Sequence, residues 1–199
     1  MRLPRALFQL LAFVMLCGVS AAAQTVPVPS DAKQFVKDGV SFNYGSGWAF
    51  NDTSNGDAQQ MTFGRTDGEA QITVFVFRSH LTKPEQIAEA KRVLVDKYVA
   101  STTRQFQQED PKTQSEPATS EIGGVASEGV KIRASLSGVP GIAEIQSAVV
   151  GQRLVVLTLL GPDKDVKKVT PVWDLIRSTI KVEEPQPKAQ PSPSPKSTP

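Results

Sequence analysis

Few residues in this chain are suited to chemistry, and their spacing brings none of the familiar constellations together. His80 is the only histidine and Cys17 the only cysteine. Nucleophilic catalysis needs an activated Ser, Cys or Lys beside a base that a third group orients. The sequence holds no G-x-S-x-G, no H-E-x-x-H and no Walker-type loop. His80 falls where a predicted strand gives way to a predicted helix, a place where a solvent-facing or capping imidazole is ordinary. The glycines at 45, 47, 123 and 124 lack the strand-to-helix setting that phosphate loops require. Zinc, which draws mainly on Cys and His, is equally poorly served. No catalytic, metal-binding or cofactor-binding residue is assigned, and no cofactor is expected.

Oxygen ligands offer one candidate, the run Asn51-Asp52-Thr53-Ser54-Asn55-Gly56-Asp57. It lacks the twelve-residue loop and closing glutamate of an EF-hand, and the same residue types dominate plain turns for local reasons. A turn between strands is the favoured reading. Glu69, Glu121, Glu128 and Glu144 lie beside predicted strands or turns, where a pair could serve glycoside hydrolysis, but nothing singles a pair out. Trp48, Phe50, Phe63, Phe75, Phe77, Tyr98 and Trp173 could line a ligand pocket between sheet and helix. Filling a core is the commoner use of such side chains.

The N-terminus sets the compartment. Arg2 and Arg5 precede an apolar stretch, Ala6 to Val19, and Ala21-Ala22-Ala23 follows before Gln24. Those features predict a secretory signal peptide cleaved between Ala23 and Gln24. Ala6 to Ala23 approaches the ~20 residues that span a bilayer, but Gln9 and the small-residue exit favour cleavage over a retained anchor. The bulky Leu16 before Cys17 is wrong for a bacterial lipobox. Once Arg2 and Arg5 are removed, 20 basic residues balance 20 acidic ones, against +2 for the whole chain. A neutral, cysteine-free chain has no field to steer it onto nucleic acid or anionic membrane, and its core alone must hold it together.

Periodicity supplies the elements. Residues 24–30 form a short proline-bearing linker, and one domain spans 31–182. Gly39 to Tyr44 alternates apolar and polar residues as a half-buried strand does, and Gly45-Ser46-Gly47 turns the chain before Trp48 and Phe50. Gln59 to Arg65 is a second strand with Met61 and Phe63 on one face. Asp67-Gly68 is a turn, and Ala70 to Arg78 is apolar on both faces, as a central strand should be. Thr82 and Glu85 form a T-x-x-E capping box with Pro84 in the first turn. The helix that follows carries Ile87, Leu94 and Tyr98 on one stripe, flanked by Val95, Val99 and Phe106. Gln107 to Thr119 reads as a surface loop. Gly129 to Leu136 alternates, Gly138 to Gly141 turns around Pro140, and Ile142–Val150 and Leu154–Leu160 pair across Gly151-Gln152-Arg153. Val166, Val169, Trp173, Ile176 and Ile180 mark a closing helix, with Pro171 in its first turn or at a kink. From Glu183 the sequence reads EEPQPKAQPSPSPKSTP, too poor in apolar surface to order itself. An inert solubilising tail is favoured there over a wall-spanning spacer or a docking segment.

The order of strands, long helix, strands and final helix specifies an α+β fold. The Tyr44-Gly45-Ser46-Gly47-Trp48 turn, the hairpin into a double-faced strand, the long helix, the Gly-Gly-centred strand pair and the C-terminal helix together resemble the PsbP-like superfamily. That superfamily includes an extrinsic photosystem II subunit, a Ran-binding nuclear-import factor and many exported bacterial proteins. The resemblance covers about Asp31 to Val182, with Gly45 standing where many relatives have proline. It implies an α-β-α sandwich around an antiparallel sheet of about six strands, flanked by the middle helix and the C-terminal helix. No residue here matches the metal or GTPase contacts of those relatives, so no activity is carried over. The reading is therefore a non-enzymatic binding or accessory module, periplasmic or secreted. Its expected partner is an envelope protein or a small apolar ligand, with no nucleic acid and no stable membrane insertion after cleavage. An envelope hydrolase with an unidentified carboxylate pair, or a structural spacer, is the alternative.

Overall fold

The computed structural model describes residues 28–183. The predicted signal peptide, its expected cleavage point at Ala23 and Gln24, most of the expected linker and the tail beyond Glu183 lie outside the described residues. Within them the chain forms β1 (Lys33–Lys37), β2 (Val40–Tyr44), β3 (Ala49–Asp52), β4 (Ala58–Gly64) and β5 (Gln71–His80). Next come α1 (Pro84–Ala90), a π-helical segment (Lys91–Asp96) and α2 (Lys97–Glu109). β6 (Gln114–Ile122), β7 (Val125–Leu136), β8 (Val139–Val150), β9 (Arg153–Pro162), α3 (Asp163–Thr179) and β10 (Lys181–Val182) complete it.

Seven strands build one antiparallel sheet in the order β3-β4-β5-β9-β8-β7-β6, and β1-β2-β10 form a smaller one. The sheet thus has seven strands where the sequence indicated about six. The two-faced runs fall where a buried sheet needs them, since β9 lies between β5 and β8 and is buried from Arg153 to Leu159. Register sets the two cores. Met61 faces Val74 and Phe63 faces Ile72; with Val155, Leu157 and Leu159 they pack against Trp173 and Ile176 of α3 and Phe42 of β2. On the other face, Leu154, Val156, Ile132 and Ile145 receive Val95 and Phe106 from the long helix. Each face is closed by a helix, and removing that apolar area from water is the main stabilising term, roughly 25 cal/mol per Å².

The helix start differs from the predicted capping box. Lys83 is the N-cap and Pro84 the first helical residue, so the side chain three residues in is Gln86. Its Oε1 accepts the backbone N–H groups of Thr82 and Lys83, each at 3.1 Å, satisfying donors that a helix start leaves free. The π segment was not legible in the pattern. Its wider turn sets back the apolar stripe, and Val95, with Leu94 on the shoulder, becomes the deeply buried residue.

Three expectations are corrected by the structure. Gln107 to Thr119 is not a surface loop: α2 runs to Glu109 and β6 begins at Gln114. β6 is an edge strand with mostly exposed side chains, so it carries no apolar alternation. Pro117 is tolerated because an edge has a side without ladder partners. The turn placed around Pro140 occurs earlier, at Ser137 and Gly138, both at positive φ; Pro140 lies in β8, opposite Ser135. Pro171 sits in the middle of α3, not its first turn, because Asp163 and Asp165 begin that helix eight and six residues earlier, where acidic groups favour the amide-rich end. β1, which contributes Phe35 to the core, was also not predicted.

Candidate functional site

A concavity forms where α1 and the π segment meet the C-terminal end of β5. Phe77, Ser79 and Leu81 come from β5 and the residue after it, Leu154 from the start of β9, and Gln86, Glu89, Ala90, Val93 and Leu94 from the helix. Asp57, from the β3–β4 connection, closes the rim. The cavity is about 570 Å³, within the range of small-molecule sites. Its position follows from local structure. Pairing of β4 with β5 ends at Ala58 and Phe77, the β5–β9 register shifts between Val76 and His80, and α1 begins at Pro84 beside that irregularity. The π segment leaves Val93 and Leu94 half-buried along the wall in place of a uniformly packed stripe.

Electrostatics at the rim are largely committed to internal bonds. Glu89 takes Arg92 in a two-point contact at 2.7 and 2.9 Å, which lowers its carboxyl pKa. Gln86 is spent on the helix start. The backbone carbonyl of Asp57 accepts the Arg78 N–H at 2.9 Å. Six apolar side chains and these edge groups can hold an apolar molecule and orient a polar end. They place no nucleophile beside a base.

The sequence-derived candidates disperse. His80 is the exposed last residue of β5, outside the groove lining. Glu128 and Glu144 stand on neighbouring strands opposite Ser147 and Lys131, an odd offset that sends them to opposite faces. Glu128 pairs with Lys91 at 3.0 Å; Glu144 pairs with Lys131 at 3.3 Å and accepts Gln146 Nε2 at 3.1 Å. Glu69 donates its amide N–H to Asp165 Oδ2 at 3.1 Å, and Glu121 lies on the exposed edge β6. The oxygen-rich run is a turn. Asn55 Oδ1 accepts the amides of Asp57 and Ala58 at 2.8 and 2.9 Å, and Asp52 Oδ1 accepts that of Ser54 at 3.0 Å. Among the described residues no group of three His, Cys, Asp or Glu could hold a metal ion. Of the aromatics, Trp48, Phe63 and Trp173 fill the core. Phe75 and Tyr98 meet edge-on under the helix at 6.0 Å, and Phe77 alone of the seven lines the groove. Phe50, 44 % exposed, lies 5.5 Å from Phe63 and 6.0 Å from Phe35.

Sequence reasoning missed Arg153, read as part of a turn. The residue is 3 % exposed, and its guanidinium donates to the carbonyls of Phe77 (2.8 Å) and Asp38 (3.3 Å) and to Gln59 Oε1 (2.8 Å). Gln59, fully buried, passes its Nε2 to Lys37 O at 2.8 Å. Desolvation, then repulsion from Arg78, lowers the Arg153 pKa. This chain of bonds ties the small sheet to β4, β5 and β9 directly beside the groove. No periodicity in the sequence signals it.

Two helix-covered faces around an antiparallel sheet define the fold class, an α+β sandwich. Solved structures to which this chain is similar include cyanobacterial PsbP from Synechocystis, 15 % identical with a TM-score of 0.48, covering 77 % of this chain and 94 % of that one. A protein from Bacteroides thetaiotaomicron is 16 % identical with a TM-score of 0.47, over 77 % of this chain and 49 % of that longer one. LpqN of Mycobacterium tuberculosis, described as involved in cell envelope biogenesis, is 12 % identical with a TM-score of 0.34, over 79 % of this chain and 82 % of its own. No protein-family model and no curated protein sequence matches the chain. No function is taken from these likenesses.

Proposed function

We propose that this protein is an exported, non-enzymatic binding module of the cell envelope whose ligand is a small apolar molecule held between the long helix and the end of β5. The supporting observation is the cavity of about 570 Å³ walled by Phe77, Leu81, Ala90, Val93, Leu94 and Leu154. Export rests on the basic, apolar and small-residue order of the first 24 residues. No helix among the described residues is long and apolar enough to cross a membrane. The hydrolase alternative has no support from Glu128 and Glu144, which diverge.

Titration with Nile red, a neutral apolar dye, tests this reading. Saturable binding is expected, and Ala90→Phe, which fills the groove from the helix side, is expected to weaken it about tenfold or more while circular dichroism stays unchanged. The tenfold figure corresponds to about 1.4 kcal/mol. Equal binding by a folded Ala90→Phe protein would remove the groove as the site.

A further inference from the structure

The long helix covers only part of its side of the sheet. The core on that side takes residues from β5, β7, β8, β9 and the helix, and none from β3 or β4. Along β4, buried Gln59, Met61 and Phe63 alternate with half-buried Ala58, Gln60, Thr62 and Gly64. The half-buried set shares the helix side, because Gln60 stands opposite Phe75, which packs against that core. Space above Gly64 is open: a Cβ added there would meet no atom beyond its chain neighbours within 4 Å.

Register lays two rows of side chains across this open half. Asn51 lies opposite Thr62, Thr62 opposite Thr73, and Thr73 opposite Thr158. The second row runs Ala49, Gly64, Gln71 and Leu160. Although 21 % of the chain is charged, no Lys, Arg, Asp or Glu stands in either row. Nearby Arg65 is committed to Asp67 at 2.7 and 2.9 Å. A concavity of about 360 Å³ opens at the outer end, with Asn51, Thr62, Gly64 and Gln71 in its wall. The first row is also short of hydrogen bonds. The Thr62 and Thr73 hydroxyls meet only at 3.3 Å. Among the described residues Thr158 Oγ1 has no partner, although the residue is 4 % exposed.

We propose that this open face binds a neutral oligosaccharide laid across the strands from Asn51 to Thr73 and Gln71. Amides and hydroxyls donate and accept together, as sugar hydroxyls do. An ionic ligand finds no opposite charge in the rows, and an apolar one strands the amides without partners. The C–H face of a sugar ring can rest on Ala49 and on Leu160, which is 38 % exposed. Strands spaced about 4.8 Å apart spread each row over roughly 14 Å, a span that suits a short chain of sugars better than one ring. Opposed side chains of an antiparallel pair have Cβ atoms roughly 4.5–5.5 Å apart, so the Thr73 hydroxyl can serve either neighbour. A sugar hydroxyl on Thr62 releases Thr73 to Thr158, and occupation of the face then satisfies a buried oxygen. The site does not depend on the groove, whose β5 residues Phe77 and Ser79 lie at the other end of that strand.

The test screens the protein against an array of neutral hexose oligomers (glucans, mannans and galactans), with polygalacturonate as the acidic control. A neutral oligomer is expected to bind, with ¹H–¹⁵N shifts centred on Asn51, Thr62, Gly64, Gln71 and Thr73. Changing Thr62→Val and Thr73→Val together keeps side-chain shape and strand propensity, and should weaken that binding about tenfold or more. Gly64→Ile, whose side chain enters open space, should weaken it similarly while circular dichroism stays unchanged. Retention of polygalacturonate alone, or of nothing, would overturn the proposal. Shifts centred on Leu81, Ala90 and Leu94 would overturn it too, by moving the sugar into the groove.

Discussion

The Arg153 guanidinium is held inside the protein by neutral oxygens alone: two carbonyls at 2.8 and 3.3 Å, the Gln59 amide at 2.8 Å, and a longer contact to Val76 O at 3.4 Å. A buried cation is tolerated when every donor finds an acceptor and becomes costly when an acceptor is left over. Replacing it with Met keeps the volume near that of the stem but orphans Phe77 O, Asp38 O and Gln59 Oε1. Arg153→Met is expected to lower unfolding free energy by about 2–4 kcal/mol. In urea the midpoint should fall with an unchanged slope; a midpoint within error of the parent would show that the network contributes nothing net. The sequence gives no warning of this role, because a basic residue after Gly-Gln is what an exposed hairpin would also carry. The groove was half legible for the same reason. Phe77 and Leu94 appear as core or stripe residues in the pattern, while Asp57 and Ser79 join them only through tertiary placement.

At the scale of elements, the sequence was informative wherever burial imposes a period. The double-faced runs of β5 and β9, the alternation of β2 and the apolar spacing of α3 each report a core contact. β6 failed that reading because an edge strand answers to solvent, and the π segment failed it because one wide turn leaves no mark in composition. The short β10 is too brief to show a period, yet it closes the small sheet by pairing with β2. Its seat depends on Gly151, which adopts φ +53° and whose missing side chain makes room for the Val182 carbonyl. Gly151→Ala adds steric overlap to a left-handed backbone. Destabilisation of about 2 kcal/mol or more is expected, with hydrogen exchange rising first at Lys181, Val182 and the Glu183 amide that bonds Gly39. Exchange that rises evenly across β8 and β9 would mean β10 is not a separately opening unit.

For the whole molecule, acid is the condition that should loosen the joints between layers. Asp110 accepts the Ser135 N–H at 2.7 Å and the Lys112 N–H at 2.8 Å, joining the end of α2 to β7, and those bonds lower its pKa from 3.8. Asp165, bonded to Lys168 and to the Glu69 amide, joins α3 to the β4–β5 turn and is lowered likewise. Lys37, then Ser54, hold Asp52 at about 2, linking the small sheet to β3. A carboxyl whose pKa is depressed on folding contributes stability that is complete above its unfolded pKa, near ~4, and is lost as pH falls through the folded value. Exposed pairs such as Arg65 with Asp67 add little to this because solvent screens them. The urea midpoint is therefore expected to stay flat from about pH 8 to 5 and to drop between about pH 4 and 2. Asp110→Asn and Asp165→Asn should each shrink that drop, because the amide no longer titrates. A midpoint that stays level down to pH 2, or begins falling near pH 6, would place the acid sensitivity in other groups and leave these three carboxylates without a share in holding the layers together.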